Sequence, residues 1–154
     1  MENYYSITNF RSFGPDGAKI DFAPVTFITG ENSSGKSSIV KSLVLFENYL
    51  RDCREVLKKG GAYCPFNCYL NFSDPALKLG RFNSTISISA SQDNGMSFEY
   101  GVESKLMNQE IRVRYTFVHN NMDDLDNGIL GELTVVGEDG EVLFKWERDE
   151  DDVI

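Results

Sequence analysis

The chain has 154 residues, 41% of them hydrophobic and 25% charged, with a net charge of −9; these are ordinary globular proportions and exclude wholesale disorder. No apolar run approaches the roughly 20 residues that span a bilayer, and Met1-Glu2-Asn3-Tyr4-Tyr5 lacks the basic and apolar regions of a secretion signal, so a cytoplasmic protein without membrane contact is expected. The acidic balance disfavours a broadly basic nucleic-acid-binding surface, although part of it is local, in Glu147, Asp149, Glu150, Asp151 and Asp152.

Tyr4 to Phe10 is β-prone, residues 12–17 are dense in turn formers, and Ala18 to Phe22 alternates apolar and polar side chains. That pattern predicts a hairpin. Ala23-Pro24 then breaks the chain before Val25-Thr26-Phe27-Ile28-Thr29, a β-branched run that reads as a strand buried in the middle of a sheet.

From Ser37 the period changes to about 3.6, with Ile39, Leu43, Phe46, Leu50, Cys53 and Leu57 spaced by fours and threes and Val40 and Val44 widening the stripe. One long amphipathic helix is predicted, ending near Lys58-Lys59-Gly60-Gly61, where cations are followed by glycine. Residues 62–83 show no period. Ile86, Ile88 and Ala90, then Asp93-Asn94-Gly95, then Met96, Phe98, Tyr100 and Val102 predict a second hairpin, and the alternation from Ile111 to Phe117, Leu133 to Val136 and Val142 to Trp146 extends it into an antiparallel β-meander.

Three cysteines, Cys53, Cys64 and Cys68, are an odd count and are expected as reduced thiols. Zinc requires about four ligands, and the one histidine, His119, lies far from them in a strand-like stretch.

The chemistry is carried by Gly30-Glu31-Asn32-Ser33-Ser34-Gly35-Lys36-Ser37, which fits GxxxxGK followed by Ser or Thr, the Walker A loop, at every specified position. A triphosphate is a dense anion, and a loop that wraps it turns backbone N–H groups inward, a conformation that side chains at Gly30 and Gly35 would obstruct. Lys36 supplies a compact charge for the β- and γ-phosphates, and the Ser37 hydroxyl is suited to magnesium. The positive end of the helix faces the same anion. The expected ligands are therefore ATP and Mg2+, held by Gly30 to Ser37 with Ser38 following.

Ile7-Thr8-Asn9-Phe10-Arg11-Ser12-Phe13, followed by a hairpin and by Phe27 to Ser38, resembles the amino-terminal lobe of ABC-type ATPases of the SMC, RecF and OLD (overcoming lysogenization defect) groups, over about a third of the chain. The resemblance implies an α/β P-loop NTPase lobe with a mixed sheet, one long helix after the P-loop and then the antiparallel β-meander. It implies an ATPase acting on DNA in repair or phage defence, closed into a dimer by ATP, and it makes Arg11 a candidate nucleotide contact; a solvated arginine at a strand end is the competing reading. Such ATPases also need a Walker B strand, a signature motif and a switch histidine, none of which is found. Leu133 to Asp139 imitates Walker B, but Asp139-Gly140 between alternating strands is better explained as a hairpin turn; neither Gln92 nor Gln109 is singled out as a metal-sensing glutamine.

The expectation is an incomplete domain, a single amino-terminal ATP-binding lobe over 1–154: hairpin, P-loop and helix over 1–60, an irregular stretch over 61–85, the meander over 86–147 and the acidic end over 148–154. A missing carboxy-terminal lobe of the same protein would carry Walker B, and the chain alone would be inactive in hydrolysis. Two other readings remain open: a P-loop small-molecule kinase, disfavoured by the absence of an Arg-rich lid, and a non-catalytic nucleotide-gated interaction module.

Overall fold

The computed structural model describes residues 3–60, 68–88, 95–120 and 126–149. Cys64, Gln92, the turn residues Asp93 and Asn94, and the acidic end from Glu150 lie outside them. Among the described residues, seven strands form one sheet. β1 (Asn3–Thr8) and β2 (Ala18–Phe22) make the first hairpin, and β4 (Met96–Ser104), β5 (Gln109–His119), β6 (Gly128–Gly137) and β7 (Val142–Glu147) make the meander. The order across the sheet is β2-β1-β4-β5-β6, with β3 (Tyr69–Leu70) and β7 both on the far side of β6. Both hairpin and meander match the alternation in the sequence, and the β6–β7 turn at Asp139-Gly140 closes through Gly140 N–H to the Gly137 carbonyl at 3.1 Å.

Every pairing among the described strands is antiparallel, where a mixed sheet was expected. The difference lies in Val25 to Thr29. This run forms no strand, and Val25 and Phe27 are 70% and 85% exposed. β-branched composition specifies a strand only where a neighbouring strand completes the ladder, and the described strands offer this segment none. The hairpin predicted from Ile86 to Val102 also differs. Tyr4 to Thr8 of β1 occupies the edge of β4 that Ile86 to Ala90 was expected to pair with. Residues 82–85 instead form a single helical turn, α2 (Phe82–Thr85), and Ile86 keeps only an isolated bridge to Phe10.

α1 (Lys36–Lys58) follows the glycine loop as predicted and ends at Lys59, whose N–H bonds back to the carbonyls of Glu55 and Val56. It lies on one face of the sheet through aromatic contacts: the Phe46 ring is 5.2 Å from Phe98, 5.2 Å from Tyr100 and 5.0 Å from Tyr115, and Tyr49 meets Phe117 edge-on at 4.8 Å. The side of α1 that the sheet buries is Ser38, Ser42, Leu45, Phe46, Tyr49 and Cys53. This is one flank of the predicted stripe. At about 100° per residue, Val40 and Val44 point away from it, and Val40 and Leu57 are 52% and 56% exposed. The apolar arc of α1 is thus wider than the described sheet can cover.

Ser42, polar and on the buried flank, is satisfied internally. The Ser42 hydroxyl donates to the Ile39 carbonyl at 2.7 Å and accepts from the Tyr5 hydroxyl at 3.0 Å. No helix is long and apolar enough to cross a membrane among the described residues.

Candidate functional site

Three short segments meet at the N-terminus of α1. The first is the glycine loop itself. Gly35 caps the helix in the left-handed conformation (φ 91°) and Ser33 is also left-handed (φ 67°); a non-glycine residue held there stores strain of the kind that concentrates at functional loops. The N–H groups of Ser33, Gly35, Lys36 and Ser37 make no hydrogen bond to another described residue, whereas those of Ser38 and Ile39 both bond the Gly35 carbonyl. The first N–H groups of a helix have no partner within it, and here the residues that carry them line a cleft.

The second segment is the turn that follows β1. Asn9 and Arg11 both have positive φ (57° and 52°), and the turn is tied down on several sides. Asn9 N–H bonds the Gly14 carbonyl at 3.1 Å, the Asn9 amide donates to the Gly95 carbonyl at 3.0 Å, and Phe13 N–H bonds the Phe10 carbonyl at 2.9 Å. The third segment is α2, whose Thr85 carbonyl accepts the Arg11 N–H at 2.7 Å. α2 lies in the stretch for which the sequence showed no period up to residue 83, and nothing in the local pattern marks Thr85 as the anchor of Arg11.

Together these segments form a cleft of about 420 Å³ lined by Arg11, Ser12, Asn32, Ser33, Gly35, Lys36, Ser37 and Ser38. Six of the predicted site residues from the loop and helix therefore line one cleft, and Arg11 lines it with them. Ser12 joins them; its signal was its place beside Arg11 in the opening segment. Gly30, Glu31 and Ser34 do not line the cleft. They form a bracket around Lys36, whose ammonium donates to the Gly30 carbonyl at 2.7 Å, to the Glu31 carbonyl and to Ser34 Oγ at 3.3 Å. Ser38 is 8% exposed and its hydroxyl has no partner among the described residues.

Arg11 and Lys36 are the charged side chains of the cleft, and no carboxylate lines it. Unpaired N–H groups, two cations and a ring of hydroxyls suit an oxyanion ligand. Ser37 offers one oxygen for magnesium, which typically takes one or two protein oxygens and completes its shell from phosphate and water, so the residues present fit a magnesium nucleotide.

A glycine-framed loop entering a long helix, with its lysine beside free N–H groups, defines a P-loop nucleotide-binding domain. The chain belongs to the AAA domain family, whose profile matches residues 6–122, from within β1 to just beyond β5. This is an ATPase-type family that is also found in SMC-like proteins. No curated protein matches the chain.

Proposed function

We propose that this chain binds ATP with Mg2+ through Gly30 to Ser38, with Arg11 as a second cationic contact. The observation that carries this reading is the cleft itself, which is lined by Lys36, Arg11 and the loop residues whose N–H groups are unbonded among the described residues. With a magnesium nucleotide bound, Lys36 would leave the carbonyls it now bonds to neutralise phosphate charge, the loop N–H groups would bond phosphate oxygens, and Ser37 would offer its hydroxyl to the metal. Arg11, which lines the same cleft, supplies a second positive charge.

The same reading makes the chain the amino-terminal lobe of a DNA-associated ATPase of the SMC, RecF and OLD kind, in DNA repair or phage defence. A further lobe of the same protein, carrying the catalytic carboxylates, would complete the site, and ATP would then close two such assemblies into a dimer. Supporting this are the apolar side chains that the described fold leaves exposed near the loop, Val25 and Phe27 before it and Val40 in the first turns of α1. Exposed apolar area beside a loop marks an interaction face. DNA contact rests on the resemblance alone, because the chain is acidic overall.

Calorimetric titration of the purified chain with ATP and Mg2+, together with a phosphate-release assay, tests this. Saturable one-site binding that weakens at least tenfold (about 1.4 kcal/mol) in Lys36→Ala, with negligible turnover, is expected. Unchanged affinity in Lys36→Ala would remove the loop from the account, and appreciable turnover by the chain alone would remove the need for a second lobe.

A further inference from the structure

Arg11 and Ser12 reach the cleft from the turn after β1. Arg11 stands in the left-handed region at φ 52°, where a long side chain is disfavoured, so the turn must be held from outside. Two backbone bonds tie it to the end of α2 and the residues that follow: Arg11 N–H to the Thr85 carbonyl at 2.7 Å, and Ser87 N–H to the Asn9 carbonyl at 3.0 Å.

α2 is a single turn, too short to keep its own place without tertiary contacts. It is closed internally, with Ile86 N–H bonding the Phe82 carbonyl at 2.9 Å and the Thr85 hydroxyl donating to the Leu79 carbonyl at 3.1 Å. Its first residue is held by the connection from β5 to β6. Phe82 N–H donates to the Asp126 carbonyl at 2.8 Å, and the Phe82 ring lies 6.0 Å from the imidazole of His119. Asp126 needs holding in its turn, being left-handed at φ 55° and 8% exposed, and a buried carboxylate is costly unless paired. The group set against its Oδ1 is Nε2 of His119, at the end of β5, and Asn120 N–H closes the neck of the connection on the Asn127 carbonyl at 3.0 Å.

We propose that His119 is a positioning residue for Arg11. By pairing with the Asp126 carboxylate it fixes the carbonyl that anchors α2, and α2 fixes the backbone of Arg11 at the cleft. This rests on the nucleotide reading and extends it to β5, a strand that contributes no residue to the cleft lining.

The route is short. A helical turn closed by its own backbone bond moves as a unit, so a shift at the Phe82 N–H is carried to the Thr85 carbonyl. Removing the imidazole leaves the carboxylate buried without that partner. The connection relieves this by turning the carboxylate toward water, which draws the Asp126 carbonyl away from Phe82. Arg11 then keeps its charge and loses its fixed place, so a ligand must bear the cost of ordering it.

Amide hydrogen exchange followed by NMR, joined to calorimetry with ATP and Mg2+, tests this on the whole chain. In His119→Ala the N–H groups of Phe82 and Arg11 should exchange at least about threefold faster while those of β4 hold their rates, the mark of a local opening. ATP affinity should fall about fivefold, and by less than about 1.5-fold when Arg11→Ala is already present, as expected of residues that act through one network. His119→Gln, whose side-chain amide can still donate to the carboxylate, should restore both exchange and affinity. Unchanged exchange at Arg11, or an affinity loss as large without Arg11 as with it, would overturn the proposal and leave the nucleotide reading standing. Exchange that rises equally through β4 would show a merely structural role and overturn it too. Should His119→Ala not fold, Asp126→Asn, which tolerates the left-handed backbone and removes the carboxylate charge, carries the same expectations and is judged by the same results. No binding of ATP by the unaltered chain would sink both readings.

Discussion

The ring of Phe13 rests against the backbone of Gly35, so closely that a Cβ on the glycine would approach its Cζ to 2.7 Å. This contact joins the turn after β1 to the first residue before α1. It explains why a segment some twenty residues upstream of the loop belongs to the site: Arg11 reaches the cleft because Phe13 and Thr85 fix the turn on either side of it.

Gly35→Ala meets two obstacles, a left-handed φ of 91° that costs an alanine about 1–2 kcal/mol and the collision with Phe13. A loss of stability of about 2 kcal/mol or more is expected in urea denaturation, with ATP affinity lowered as well. Adding Phe13→Ala should recover the collision part but not the backbone part. If the double variant is no better than the sum of the singles, the two residues are not in the contact described.

The Tyr5 hydroxyl is fully buried and has Ser42 as its acceptor. Ser42→Ala should cost about 1–3 kcal/mol, the penalty for a buried donor left without a partner. In a Tyr5→Phe background the same substitution should cost markedly less, because nothing is then stranded. Equal costs in both backgrounds, measured by chemical denaturation, would contradict the hydrogen bond.

Burial pushes the phenols of Tyr5, Tyr49 and Tyr100 upward, and Tyr4 is raised to about 12, by burial first and then by its bond to Glu99. In the unfolded chain tyrosine ionises near 10.0. Above that pH the unfolded state holds fewer protons than the native state, so stability falls as pH rises; below it the contribution is fully present. Denaturation midpoints should therefore drop as pH rises from 10.0 toward about 12, with tyrosinate absorbance appearing on unfolding. A midpoint that does not move over this range would count against the buried aromatic core.

Phe27 touches little in this chain, so Phe27→Ser should change its stability by no more than about 0.5 kcal/mol, the usual range for a surface position, while reducing self-association at high concentration. A loss above 1 kcal/mol in thermal or chemical unfolding would mean that the segment before the loop is packed and not open.

The long helix, both β-hairpin ends of the sheet and the place of the glycine loop at the head of the helix were legible because each rests on local information: a 3.6 period, a period of two, or residue types at fixed spacing. Val25 to Thr29 was misread for the opposite reason. Its composition suits a buried strand, but burial is decided by neighbours that the described fold does not supply. The rotation of α1 follows the same logic, since Ile39, Leu43, Phe46, Leu50 and Cys53 mark an arc but cannot say which flank meets the sheet; Ser42, polar and fully buried, shows how far the choice departs from hydrophobicity. Thr85 was invisible because a carbonyl acting as anchor for Arg11 can belong to any residue.

Amide chemical-shift mapping during titration with ATP and Mg2+ tests the central claim most directly, because that claim concerns the N–H groups of one loop. The largest shifts should fall on Gly30 and on Ser33 to Ser38, with Arg11 and Ser12 next, and should vanish in Lys36→Ala. Shifts scattered over the meander, with the loop amides unmoved, would contradict it.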